Sequence, residues 1–169
     1  MASLRLFLAL AVALAAPLAA HSVSEPSFEE RLLAAHNGER LRLKLKPLIW
    51  SDKLAKEAAI WAKHQAATDT FEHADTTDDG ENLWMGTRNS YSPEDMVGAW
   101  IAERATFKEG RFPNVSTSGN WLDVGHYTQL IWFNTTSVGC ARASNQKDEY
   151  LVCRYGPPGN WTGQNPLGR

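Results

Sequence analysis

The sequence predicts an α+β domain. Helical patterns fill its first half, and strand-like runs are scattered through the rest. Two final runs, about Ser137 to Ala143 and Glu149 to Tyr155, are joined as a hairpin by the polar stretch Ser144 to Asp148. Strands and helices do not alternate as a parallel doubly wound sheet requires. With 169 residues, 43% of them apolar, the chain can bury one substantial core and needs no second domain.

The elements follow in order. Phe28 to about Leu45 reads as a helix with Phe28, Leu32 and Ala35 at helical spacing, ended by Pro47. Ser51 can cap a second helix with Asp52 in its first turn and Leu54, Ala58, Trp61 and Gln65 along one face, fading by Thr68. Asp69 to Gly80 is rich in Asp and Thr and suits a loop, and Glu81 to Met85 suits a short strand. A third helix starts at Ser92 as N-cap, with Pro93 at the first helical position and Glu94 and Asp95 against the positive end of the dipole. Met96, Trp100 and Phe107 share one side of it with Glu103. A carboxylate on an apolar stripe must be hydrogen-bonded, paired or bound to a cation, because burying it bare is costly. From Gly110 to Gly125 a long Pro/Asn/Ser/Gly-rich loop carries Phe112 and Trp121. Gly125 then precedes His126, which opens an apolar segment ending at Trp132, and Gly156-Pro157-Pro158-Gly159 stops the last strand.

Residues 1–20 read as a secretory signal: Arg5, an apolar run from about Leu6 to Ala16, and a cleavage point near Ala20. Residues 21–27 form a spacer, and 28–169 a single domain. The apolar run is too short to span a bilayer. Without the leader, 16 basic residues stand against 19 acidic ones, which gives no electrostatic reason to expect nucleic acid. The densest basic run, Arg40 to Lys46, alternates with leucines and suits the solvated end of a helix. Cys140 and Cys153 lie in the two hairpin strands. They are either a disulfide across the hairpin or two buried thiols, and export favours the disulfide. Asn114, Asn134 and Asn160 each head an Asn-X-Ser/Thr acceptor pattern, which carries meaning only in a eukaryotic source.

The chemistry-bearing candidates are two imidazoles and two carboxylates in marked settings: His73 after Phe71-Glu72, Glu81 in Gly80-Glu81-Asn82-Leu83, Glu103 after Trp100, and His126 after Gly125. His36 and His64 fall on helices and read as structural or surface groups. Trp50, Trp61 and Trp100 read as core, whereas Trp84, Trp121 and Tyr127 are candidates for the wall of a cleft. No GxSxG elbow, HExxH helix, P-loop or GxGxxG turn is present. A binding module is therefore expected ahead of an enzyme.

From Phe28 to Trp161 the chain resembles the CAP superfamily of cysteine-rich secretory proteins, antigen 5 and pathogenesis-related 1 proteins. The resemblance rests on His36-Asn37 with Arg40, His73, Gly80-Glu81-Asn82-Leu83, Trp100 with Glu103, Gly125-His126-Tyr127-Thr128-Gln129, Val138-Gly139-Cys140, and Cys153 through Asn160, all in order. It implies a three-layer α-β-α sandwich with a central antiparallel sheet and a large cleft. It further implies a cleft tetrad of His73, Glu81, Glu103 and His126, with His73 and His126 as ligands for a divalent metal such as zinc. The segment from Gly80 to Trp132, with Phe112-Pro113-Asn114-Val115-Ser116, looks most like bacterial members.

The expected protein is thus a secreted monomer, periplasmic in a bacterium, that binds a small ligand, lipid or peptide in its cleft. The alternatives are a metal-dependent, peptidase-like hydrolase with Glu81 or Glu103 as acid/base, and an extracellular lipid or sterol binder. Sterol-binding members carry an aromatic-rich loop before the first tetrad histidine, and Ala66-Ala67-Thr68-Asp69-Thr70 contains no aromatic residue.

Overall fold

The computed structural model describes residues 24–75 and 78–169. The expected leader, its cleavage point near Ala20 and His21 lie outside the described residues. Among the described residues four α-helices, α1 (Phe28–Arg42), α2 (Asp52–Thr68), α3 (Pro93–Ala102) and α4 (Gly125–Leu130), accompany four strands, β1 (Ile49–Trp50), β2 (Gly80–Thr87), β3 (Ser137–Ser144) and β4 (Asp148–Gly156). The sheet order is β1-β3-β4-β2. β2, β3 and β4 run antiparallel, and the two-residue edge strand β1, absent from the sequence expectation, pairs parallel with β3.

The layers follow from strand alternation. Val152 and Leu83 face α2 and pack on Ala58 and Ala62. Leu151, Cys153, Tyr155, Val138 and Cys140 face the other way, into a core shared with Leu32 of α1, Met96, Val97 and Trp100 of α3, and Tyr127 and Leu130 of α4. The result is the expected α-β-α sandwich. Close contact between α2 and the sheet depends on Gly139, where a Cβ would lie 2.3 Å from the Ala55 nitrogen and 2.4 Å from the Ser51 oxygen. Cys140 and Cys153 stand directly opposite each other and are joined as a disulfide, which resolves that choice against free thiols.

Several boundaries differ from the sequence reading. α1 ends at Arg42, not near Leu45, because Lys44 adopts a left-handed conformation with φ 60°. The Leu45 amide then bonds back to the Arg40 carbonyl. Pro47 is not the terminator. α3 starts as expected, with Ser92 and Asp95 forming a capping box, but it stops at Ala102 and passes into a 3-10 turn, Glu103–Ala105. The long loop contains a second 3-10 turn, Trp121–Val124, whose entry is capped by Asn120. The apolar segment behind Gly125 is helix α4, held at its C-terminal end by Arg40, whose buried guanidinium donates to the carbonyls of Leu130, Trp132 and Thr135.

Candidate functional site

A cleft of about 400 Å³ opens at one end of the sheet, and its lining includes His73, Glu81, Asn82, Trp121, His126 and Asn160. It straddles the sheet end at Gly80. A Cβ on Gly80 would lie 2.0 Å from Gln129 Oε1, so a side chain there would displace the Gln129 amide from its bond with the Gly159 amide.

On the α2 side, His73 Nδ1 lies 2.7 Å from Glu81 Oε1, which also accepts from the Ala74 amide at 3.1 Å. Glu81 Oε2 is 3.0 Å from Arg154 Nη2, and both side chains are at least nine-tenths buried. A buried carboxylate needs such pairing. Arg154 was not among the sequence candidates, although an arginine within the otherwise apolar run Tyr150 to Tyr155 was a usable signal.

On the opposite side, His126 Nδ1 lies 2.6 Å from Glu103 Oε1, and Glu103 Oε2 accepts from the Tyr127 amide at 3.0 Å. Glu103 is paired, as its place on an apolar face required. The His126 ring stacks near the Trp100 indole, with centroids 6.1 Å apart and planes 18° from parallel. A carboxylate only accepts, so Nδ1 of each imidazole is a donor, and in the neutral form of the ring it is Nε2 that carries the lone pair.

Behind His126 lies a buried polar chain. His36 is wholly buried, and burial lowers its pKa to about 4, so the ring is neutral. Its Nδ1 donates to the Leu32 carbonyl at 2.8 Å, which leaves Nε2 to accept from the Tyr155 hydroxyl, also at 2.8 Å. Asn82 Nδ2 donates to Tyr155 Oη at 3.1 Å and to the His126 carbonyl at 3.0 Å. His36 is a structural histidine, as expected, and Asn82, which does not titrate, had no role assigned from the sequence. Next to it, Tyr127 donates to Glu39 Oε1 at 2.8 Å. Burial pushes the Glu39 carboxyl up, but hydrogen bonds from Arg42 and Tyr127 outweigh this and hold it below the usual carboxylate range.

The remaining wall is the 158–160 turn. Gln129 Oε1 accepts from the Gly159 amide at 2.8 Å, and Asn160 bonds Thr128 Oγ1 and the Gly125 carbonyl. Both polar atoms of the Asn160 amide are thereby engaged, whereas Asn114 and Asn134 are exposed. Trp121 lines the cleft, as expected. Trp84 and Tyr127 do not: Trp84 packs edge-on against Tyr91, and Tyr127 is buried with its hydroxyl on Glu39. Their proximity in sequence to Glu81 and His126 was misleading because strand and helix periodicity turn them to other faces. Trp100 is core, Trp50 and Trp61 are half-buried, and exposed His64 stacks on Trp61.

Among the described residues no group of three or more His, Cys, Asp or Glu side chains is arranged to hold a metal ion. No helix among them is long and apolar enough to cross a membrane.

Comparison with known proteins fits this architecture. The family model described as the cysteine-rich secretory protein family, CAP, matches residues 33–155. The chain is 34% identical over 147 residues to pathogenesis-related protein PR-1 of Medicago truncatula, covering 86% of this chain and 82% of that one. It is 33% identical to human GLIPR1-like protein 1, covering 88% of this chain and 66% of the other. The crystal structure of NaASP2 with Zn2+ superposes with a TM-score of 0.69 at 24% identity, covering 87% of each chain, and shares the fold. Similarity to plant and animal proteins lends no support to the bacterial placement. The chain belongs to the cysteine-rich secretory protein (CAP) family.

Proposed function

We propose that this chain is an exported, monomeric CAP-domain protein, with residues 1–20 as its signal and 28–169 as its domain, whose cleft binds a ligand through His73, Glu81, Glu103 and His126. The observation that carries the reading is the pair of His–Glu contacts, one on each side of the sheet, associated with a single cleft. Extracellular export would agree with the disulfide.

The donor set suits a divalent cation such as zinc. His73 and His126 would supply two neutral Nε2 donors, with Glu81 and Glu103 orienting the rings. Water or the ligand itself would fill the other positions, since two protein donors are fewer than the three usual in catalytic zinc sites. A bound cation would supply a Lewis acid on which an anionic or carbonyl group of a small molecule, lipid or peptide could be held. NaASP2, which shares the fold, was crystallised with Zn2+.

Binding is favoured over hydrolysis because neither carboxylate is presented to water in the cleft. Glu81 is at least nine-tenths buried against His73, the Ala74 amide and Arg154, and Glu103, bonded to His126 and the Tyr127 amide, is not among the described residues that line the cleft. A general base must reach the water it deprotonates. Calorimetric zinc titration and elemental analysis of the wild type beside a His73→Ala/His126→Ala double variant test the metal. Equal uptake by the two would remove it. Zinc-dependent turnover of a peptide and glycan panel that vanishes in Glu103→Gln would favour the hydrolase instead.

A further inference from the structure

The loop that carries His73 is held by two side chains of α2. Trp61 Nε1 and Gln65 Nε2 both donate to the carbonyl oxygen of Glu72, each at 2.9 Å, one residue before the histidine. The loop's entry is fixed as well. Asp69 ends α2 in a left-handed conformation, and its Oδ1 accepts from the Tyr150 hydroxyl and Asn145 Nδ2, each at 2.8 Å.

The two halves of the cleft are not built alike. His126 sits in a helix with its carbonyl held by Asn82, its following amide by Glu103 and its ring beside Trp100. His73 lies in a loop, and its side chain is 62% exposed. Among the described residues only the Glu81 contact holds the ring, so where the loop leaves α2 decides how far His73 reaches.

Gln65 is an unusual choice for that position. It is wholly buried on the α2 face that carries Leu54, Ala58 and Ala62, and its Oε1 has no hydrogen-bond partner among the described residues. An unsatisfied buried amide oxygen is destabilising relative to an apolar side chain of the same shape. Fold stability alone would favour methionine or leucine here. What glutamine adds is the grip on the Glu72 carbonyl.

We infer that Gln65 and Trp61 are positioning residues that set the reach of His73 into the cleft, and with it the affinity for what His73 and His126 hold together. The inference rests on the cleft reading above. It predicts a trade between stability and binding, which a purely structural role would not produce.

Gln65→Met, matched in size, and Trp61→Phe, which keeps an aromatic ring, both lack the donors and are made singly and combined in the full mature chain. Four measurements decide the question: thermal unfolding, amide hydrogen exchange over residues 70–75 without metal, the ring 15N spectrum of the histidines without metal, and calorimetric titration with Zn2+. Gln65→Met should melt at or above the wild-type temperature, while the Ala74 amide exchanges about tenfold faster or more. The His73 ring should shift from a single Nδ1–H tautomer to a mixture, with His126 unchanged. Zinc affinity should fall about tenfold in each single variant, the range seen when groups behind metal-bound imidazoles are removed. Unchanged exchange and an unchanged His73 tautomer would overturn the inference, as would equal loosening at His126. A wild type that takes up no zinc would instead defeat the metal part of the cleft reading, and the exchange and ring spectra would still decide the role of the clamp.

Discussion

Glu81 and Asn82 are consecutive on β2, and each serves a different half of the cleft. Glu81 Oε1 meets the His73 ring on the α2 side of the sheet, while Asn82 Nδ2 donates to the His126 carbonyl on the other. Strand alternation sends neighbouring side chains to opposite faces. Two adjacent residues can therefore link two histidines that belong to different layers, with Gly80 leaving room for α4 beside them.

That arrangement predicts unequal costs for the two carboxylates. Glu81→Gln takes from the buried Arg154 the carboxylate it is paired with and should destabilise the fold by about 3 kcal/mol. Glu103 is more exposed and has no Lys or Arg partner among the described residues, so Glu103→Gln should cost about 1 kcal/mol. Urea unfolding of the two variants checks the order, and similar losses would show that the Arg154 pair is not decisive.

His36 makes stability depend on pH. Its folded pKa, about 4, lies below the ordinary value of 6.5, so above the ordinary value both states are neutral and the full stability is present. As pH falls from 6.5 towards 4, the unfolded chain takes up a proton that the folded one refuses. About 3 kcal/mol should be lost across that window and little more from this group below it. Denaturant midpoints at pH 7 and 4.5 measure the slope, which should flatten in His36→Gln.

The packing of α2 on the sheet admits no methyl group at Gly139. Gly139→Ala would set a Cβ against backbone atoms of Ser51 and Ala55, which cannot swing aside, and should cost about 3 kcal/mol. Thermal unfolding of this variant beside Gly38→Ala, where the space is open, separates the clash from any general effect of replacing glycine.

The Cys140–Cys153 bridge spans a sequence separation of 13 residues. A loop of that length contributes about 3 kcal/mol through the unfolded chain. The Cys140→Ser/Cys153→Ser variant should lose about that much in equilibrium unfolding while keeping the native far-ultraviolet circular dichroism.

Local signals were legible wherever neighbouring residues act on one another. Ser92-Pro93-Glu94-Asp95 marks the start of α3, Ser51 caps α2, and the paired strands around Cys140 and Cys153 declare the hairpin, because capping, turn and alternation rules operate over a few residues. That Glu103 must find a partner was also readable, from the cost of leaving a carboxylate bare on an apolar face. His73, Glu81 and His126 stood out through their ordered motifs, and their joint role is the proposal made above.

Tertiary structure alone decided the partners. Arg154 on Glu81, Asn82 on His126, Glu39 on Tyr127 and Gln65 on Glu72 join residues in different elements, and no local pattern encodes them. The end of α1 at Lys44, the parallel edge strand β1 and the helical form of Gly125 to Leu130 were likewise hidden. Each depends on long-range groups, such as the guanidinium of Arg40 on the carbonyls behind α4. Composition and spacing state which groups must be satisfied, and only the folded chain determines which neighbours satisfy them.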